Sequence, residues 1–119
     1  MFRSPLMFGG NLPGCDDLTI SLITNEEVLE INQNSSNNRE VWSKDETKAW
    51  IATGKNNETY LALFNVSDEA KELSFNLSDA ELKGELNIRD LWKKEDLGKI
   101  TKNITAKVNP HGAVLFKFF

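Results

Sequence analysis

Apolar and polar positions follow one rhythm in the first third of this chain and another in the rest. Residues 2–8 form a short apolar run, interrupted by Pro5 and ending in Gly9-Gly10, which predicts a buried strand followed by a loop. Asp16 and Asp17 then precede Leu18, Ile20, Leu22 and Ile23, the acidic-then-apolar order of a helix start. Thr24 or Asn25 caps a second short helix, with Glu26 and Glu27 in its first turn and Val28, Leu29 and Ile31 on its buried side. A strand, a loop and a helix in this order make half of a β/α unit. Such a half cannot cover both faces of its own strand, so it requires neighbours from a larger α/β domain.

Residues 34–39, Asn-Ser-Ser-Asn-Asn-Arg, are polar and turn-forming and predict a connector. After it the period becomes two. Residues 40–44 and 48–53 read as strands around a turn at Asp45-Glu46. In residues 59–66, Tyr60, Ala62, Phe64 and Val66 line one face, while Leu61 and Leu63 make the other apolar too, the mark of a central strand. Leu73, Phe75 and Leu77 alternate with polar residues, as do Leu86 and Ile88. Ile100, Ile104, Ala106 and Val108 share one face of a long strand over residues 100–108, and a turn at Pro110-Gly112 leads to Val114, Phe116 and Phe118. Short strands at this spacing predict a mainly β fold, an antiparallel β-sandwich preceded by a short β/α remnant. The division falls at residues 1–38 for the remnant and 39–119 for the sandwich.

Composition agrees with a folded chain: of its 119 residues 39% are hydrophobic and 27% charged. The net charge of -4 and the scattered basic residues exclude a nucleic-acid surface. No apolar run approaches the roughly 20 residues that span a bilayer, so no membrane partner is expected. Residues 1–5 lack the charged and apolar regions of a targeting signal. Asn-x-Ser/Thr sequons stand at Asn34, Asn57, Asn65, Asn76 and Asn103.

Chemistry is sparse. Cys15 stands alone, which excludes an intrachain disulfide and a Cys-based zinc site, and reads as a structural thiol beside a helix start. His111, the single His, lies between Pro110 and Gly112 and reads as a turn residue rather than a general base. Gly9-Gly10 lacks the downstream Gly-Lys-Ser/Thr of a phosphate loop, and no metal or cofactor is expected. Sugar hydrolysis needs two facing carboxylates. Asp16-Asp17 and Glu26-Glu27 are adjacent pairs, which do not face each other on a helix, and serve as helix-start charges. Asp45-Glu46 and Glu95-Asp96 fall in expected turns. No catalytic residue is therefore assigned. Trp42, Trp50 and Trp92 are the binding candidates: as exposed flat faces they could stack on sugar rings, whereas in a small domain aromatics more often fill the core.

In order along the chain, several stretches resemble the end of glycoside hydrolase family 27, the α-galactosidase and α-N-acetylgalactosaminidase family. Phe2-Arg3-Ser4-Pro5-Leu6-Met7-Phe8-Gly9-Gly10-Asn11-Leu12 resembles the eighth strand of that family's (β/α)8 barrel and its following loop. Leu22-Ile23-Thr24-Asn25-Glu26-Glu27-Val28-Leu29-Glu30-Ile31-Asn32-Gln33 resembles the closing helix, where Asn-Pro-Glu-Val-Ile-Ala-Ile-Asn-Gln is usual. Val41-Trp42, Leu61-Ala62-Leu63-Phe64-Asn65, Arg89-Asp90-Leu91-Trp92 and residues 108–116, with Pro110-His111-Gly112, follow in the order of its C-terminal β domain.

The resemblance implies a non-catalytic C-terminal portion of a retaining α-galactosidase-like enzyme, one that closes and supports a catalytic barrel acting on terminal α-galactosides. Its nucleophilic Asp, in a Lys-x-Asp context on the fourth barrel strand, and its acid/base Asp near the sixth have no match here, so the chain alone is expected to be inactive. The implied partner is the missing barrel, and carbohydrate is met through it. Asn34-Ser35 departs from the Asp-Pro that many members show. Two rival readings remain: a stand-alone carbohydrate-binding module, and a protein that self-associates through an exposed barrel remnant carrying Phe2, Leu6 and Phe8.

Overall fold

In a computed structural model of the chain, which describes residue 1 and residues 4–119, a 3₁₀ turn (Leu12–Gly14) precedes helices α1 (Asp17–Ile23) and α2 (Glu26–Asn34). The strands follow as β1 (Ser36–Lys44), β2 (Thr47–Thr53), β3 (Thr59–Asn65), β4 (Lys71–Asn76), β5 (Leu86–Asp90), β6 (Glu95–Ile100), β7 (Asn103–Val108) and β8 (Ala113–Phe118). Six of them make one sheet in the order β1-β2-β3-β8-β5-β6, and β4 pairs with β7 in a two-stranded sheet. These pairings are antiparallel.

The alternation read from the sequence sorts side chains between two cores. On the inner face of the large sheet, Ala49, Ile51, Leu61, Leu63, Ile88, Phe116 and Phe118 meet Leu73, Phe75, Ile104 and Val108 of the small sheet. On its outer face, Ala52, Tyr60, Ala62 and Leu115 pack with Leu91 and with Ile31 of α2. β3 is therefore apolar on both faces because it lies between β2 and β8 with a layer on either side. Burying a leucine such as Leu61 or Leu63, each fully enclosed, contributes about 1.5–3 kcal/mol. The β1–β2 hairpin closes through Asp45 and Glu46, with φ of 47° and 59°, the left-handed pair that matches the twist of two-residue hairpins.

Five local expectations need correction. Of the strand expected over residues 2–8, positions 2 and 3 lie outside the described residues, and residues 4–8 belong to no strand and are exposed. A barrel strand requires flanking strands to hydrogen-bond, and none of the described strands pairs with this segment. The connector at residues 34–39 is instead the end of α2 and the start of β1. Its asparagines serve an irregular pairing with β2, broken between Ser36 and Arg39, where Asn37 takes a φ of 54°. The long strand over residues 100–108 is two strands, broken at residues 101 and 102, and Glu95-Asp96 opens β6 rather than forming a turn. β6 is an edge strand with little burial, so it carries no alternation to read. Leu77, finally, lies in a 3₁₀ turn (Leu77–Ala80) rather than a strand, though it is buried in the inner core.

Candidate functional site

One member of each helix-start acidic pair is engaged structurally. Asp16 caps α1 by accepting from the Thr19 amide at 2.7 Å, and that hydrogen bonding holds its carboxyl below the ordinary value. Glu27 receives Arg89 through Nε and Nη2, both at 2.8 Å, while Arg89 Nη1 reaches Asp96 at 2.9 Å. The guanidinium holds the Glu27 carboxyl below its ordinary value, against the opposing effect of burial. Burial, with the Glu58 carboxylate accepting from its hydroxyl at 3.0 Å, pushes the Tyr60 phenol up, so it stays a protonated donor. His111 takes a φ of 51° in its turn and pairs at the surface with Asp68, Nε2 to Oδ1 at 2.9 Å. Among the described residues, no cluster of three or more His, Cys, Asp or Glu could hold a metal, and no helix is long and apolar enough to cross a membrane.

The run Arg89-Asp90-Leu91-Trp92 joins α2 to the sheet. Buried Asn25 accepts from the Glu27 and Val28 amides, capping α2, and donates from Nδ2 to the Leu91 carbonyl at 2.8 Å. Buried Asp90 accepts from the Trp92 and Lys93 amides, both at 3.0 Å, and so fixes the turn that presents that carbonyl. Sequence reasoning missed the Asn25–Leu91 link because its partners are 66 positions apart. It also missed the role of Asn65, which it saw as a sequon and as the end of a strand. Asn65 is 1% exposed, and its Nδ2 lies 2.7, 3.2 and 3.1 Å from the carbonyls of Glu69, Val108 and Asn109. Asn57, Asn76 and Asn103 are exposed and Asn34 half-buried.

The segment before α2 has a different character. α1 buries none of its residues, and Leu18 and Met7 are 67% and 86% exposed. Leu6, Phe8, Leu12, Ile20 and Leu22 are exposed as well. So many large apolar side chains lie exposed within 17 positions, in a chain whose sandwich is well cored.

The three tryptophans lie apart in character. Trp42 is half-buried against the inner core and Trp50 half-buried against the outer one, with Nε1 donating to Glu40 at 3.2 Å. Trp92, 38% exposed, stands at the β5–β6 turn. The structure therefore does not assemble them into one platform.

The profile of the family described as "Alpha galactosidase C-terminal beta sandwich domain" matches residues 36–118. The chain belongs to this family. The similarity of this α-galactosidase C-terminal sandwich to solved structures includes the segment before it. A GH27 β-L-arabinopyranosidase from Geobacillus stearothermophilus shares 38% identity at a TM-score of 0.94 over 98% of this chain and 27% of its own. The α-galactosidase I of Mortierella vinacea shares 28% at a TM-score of 0.92, over 98% of this chain and 32% of its own. Alpha-galactosidase D of Emericella nidulans shares 25% identity over 97% of this chain and 18% of its own length. The chain thus spans less than a third of each of these relatives. In sequence and fold it corresponds to the C-terminal part of an enzyme of glycoside hydrolase family 27.

Proposed function

We propose that this chain is the non-catalytic C-terminal portion of a retaining α-galactosidase-like glycoside hydrolase, its first 38 residues closing a (β/α)8 barrel and its sandwich supporting it. One observation carries the reading: apolar side chains between Leu6 and Leu22 lie open to solvent, while the sandwich has an inner core of its own and an outer one shared with α2. The part that needs neighbours is also the part where the sequence resembles a barrel's last strand and loop. Retaining hydrolysis uses two carboxyl groups about 5–5.5 Å apart, one as nucleophile and one as acid and then base. Of the acidic pairs in the sequence, Asp16 caps a helix, and Glu27 and Asp96 bond to Arg89. The chemistry belongs to the barrel, and terminal α-galactosides are the expected substrates.

The test is to assay an aryl α-galactoside with the chain alone, then with a family 27 polypeptide lacking the portion this chain matches. The proposal expects no hydrolysis by the chain and recovered hydrolysis in the mixture. Turnover by the purified chain, or a mixture no more active than its parts, would contradict it.

A further inference from the structure

Between the β1–β2 hairpin and β4 lies a cleft of about 560 Å³, lined among others by Trp42, Asp45, Lys71, Ser74, Asn76 and Asp79. Its origin is local. The pairing of β1 with β2 runs from Glu40↔Trp50 to Trp42↔Ala49, leaving Val41 as an extra residue. Such a bulge turns consecutive side chains toward the same face, and both Val41 and Trp42 pack against the inner core. Trp42 thereby sits at the edge of the large sheet, where the opposing sheet has only two strands. The β4 edge away from β7 is unpaired in either sheet, leaving alternate backbone amides and carbonyls free of ladder partners.

We infer that this cleft is a carbohydrate subsite that takes a neutral pyranoside, its ring stacked on the Trp42 indole and its hydroxyls bonded by Asp79, Asn76 and the free edge of β4. Packing against the core fixes the indole, so stacking on it orders no new side chain. The Lys44 ammonium lies over the ring, 5.9 Å from its centroid, and a sugar stacking on that face displaces this exposed side chain. The charge balance suits an uncharged ligand. Lys71 already donates to the Asp45 carbonyl at 2.6 Å and faces Glu46 at 3.7 Å, which disfavours an anion. The volume falls within the ~300–1,000 Å³ range of small-molecule sites. Trp50 fits less well because its indole N–H is engaged with Glu40. The site needs no barrel, so it stands or falls separately from the assembly proposed above.

The experiment is an NMR titration of the isotope-labelled chain with methyl α-D-galactopyranoside, with glycerol as a polyol control. Saturable shifts at the Trp42 indole and at residues 44–47 and 71–76 are expected, with a dissociation constant of roughly millimolar order for a ligand this small. Trp42→Phe, which keeps the core filled, weakens binding about tenfold through the smaller stacking face. Asp79→Ala, at an exposed position, weakens it without altering the rest of the spectrum. The inference is overturned if the folded chain shows no saturable shifts, if glycerol shifts the same signals equally, or if the shifts centre on Trp92. Affinity unchanged in both variants overturns it too.

Discussion

Replacing Asn65 by alanine should unfold the sandwich more readily than any other substitution of a sequon asparagine. The side chain is 1% exposed, and its Oδ1 accepts from the Ser67 amide and hydroxyl at 3.1 and 2.7 Å. Its Nδ2 has two hydrogens facing three carbonyls, on Glu69, Val108 and Asn109, so two bonds and a shared third are the most it can make. About four bonds at roughly 1 kcal/mol each set an upper figure near 4 kcal/mol. Glu69 and Asn109 are exposed residues, and water can recover part of that loss, which leaves about 3 kcal/mol. The 119 residues of the chain imply a total stability of about 6–18 kcal/mol, so the loss is a sizeable share. Urea unfolding followed by tryptophan fluorescence reads it as a lower midpoint at unchanged slope. Asn65→Asp sharpens the test. A carboxylate facing those carbonyls is destabilising when ionised, so that variant should regain stability as pH falls and its carboxyl becomes a donor. A loss below about 1 kcal/mol in Asn65→Ala, or one matched by exposed Asn103→Ala, would refute the reasoning.

Other outcomes follow from the junction between α2 and the sheet. Asn25→Ala removes both a helix cap and the bond to the Leu91 carbonyl and should cost about 2–3 kcal/mol in thermal or urea unfolding. The folded Glu27 carboxyl lies below its ordinary value of 4.5, so its pairing with Arg89 contributes fully above that pH and is lost as pH falls through the lowered value. Glu27→Gln should flatten this part of the acid limb, and an unchanged stability–pH curve would count against the pairing. Leu18→Glu, at an exposed site, should change the unfolding free energy by less than about 0.5 kcal/mol. The same change should abolish activity recovered with a family 27 barrel polypeptide. In a host that glycosylates sequons, peptide mapping should find Asn65 unmodified, because its Nδ2 is enclosed.

The sandwich was legible wherever a strand has one dry face and one wet one. Leu73 and Phe75 alternate with exposed neighbours because β4 lies over the inner core. β3 could be recognised as central because apolar residues on both faces have no other explanation in a short strand. The start of α2 was legible in Asn25, Glu26 and Glu27, since capping is a local matter. β6 was not, because an exposed edge strand imposes no pattern. Nor was the start of β1, where Asn37 and its neighbours suit a turn as well as a bulge. The surface site was legible only in part. Trp42 could be named, but its place at a sheet edge depends on the bulge at Val41 and on the small sheet ending at β4. The Arg89–Glu27 pair and the Asn65 bonds to Val108 and Asn109 depend on contacts across dozens of positions, which no local pattern carries.

The central claim is that the segment before α2 is half of an interface while the sandwich stands on its own. Amide hydrogen exchange, measured with and without a family 27 polypeptide lacking this portion, tests it most directly. The account predicts strong protection of β3 and β8 in both samples, weak protection of α1 in the chain alone, and protection of α1 once the barrel polypeptide is added. Protection of α1 equal to that of the strands in the isolated monomer, or α1 unaffected by the barrel polypeptide, would contradict it.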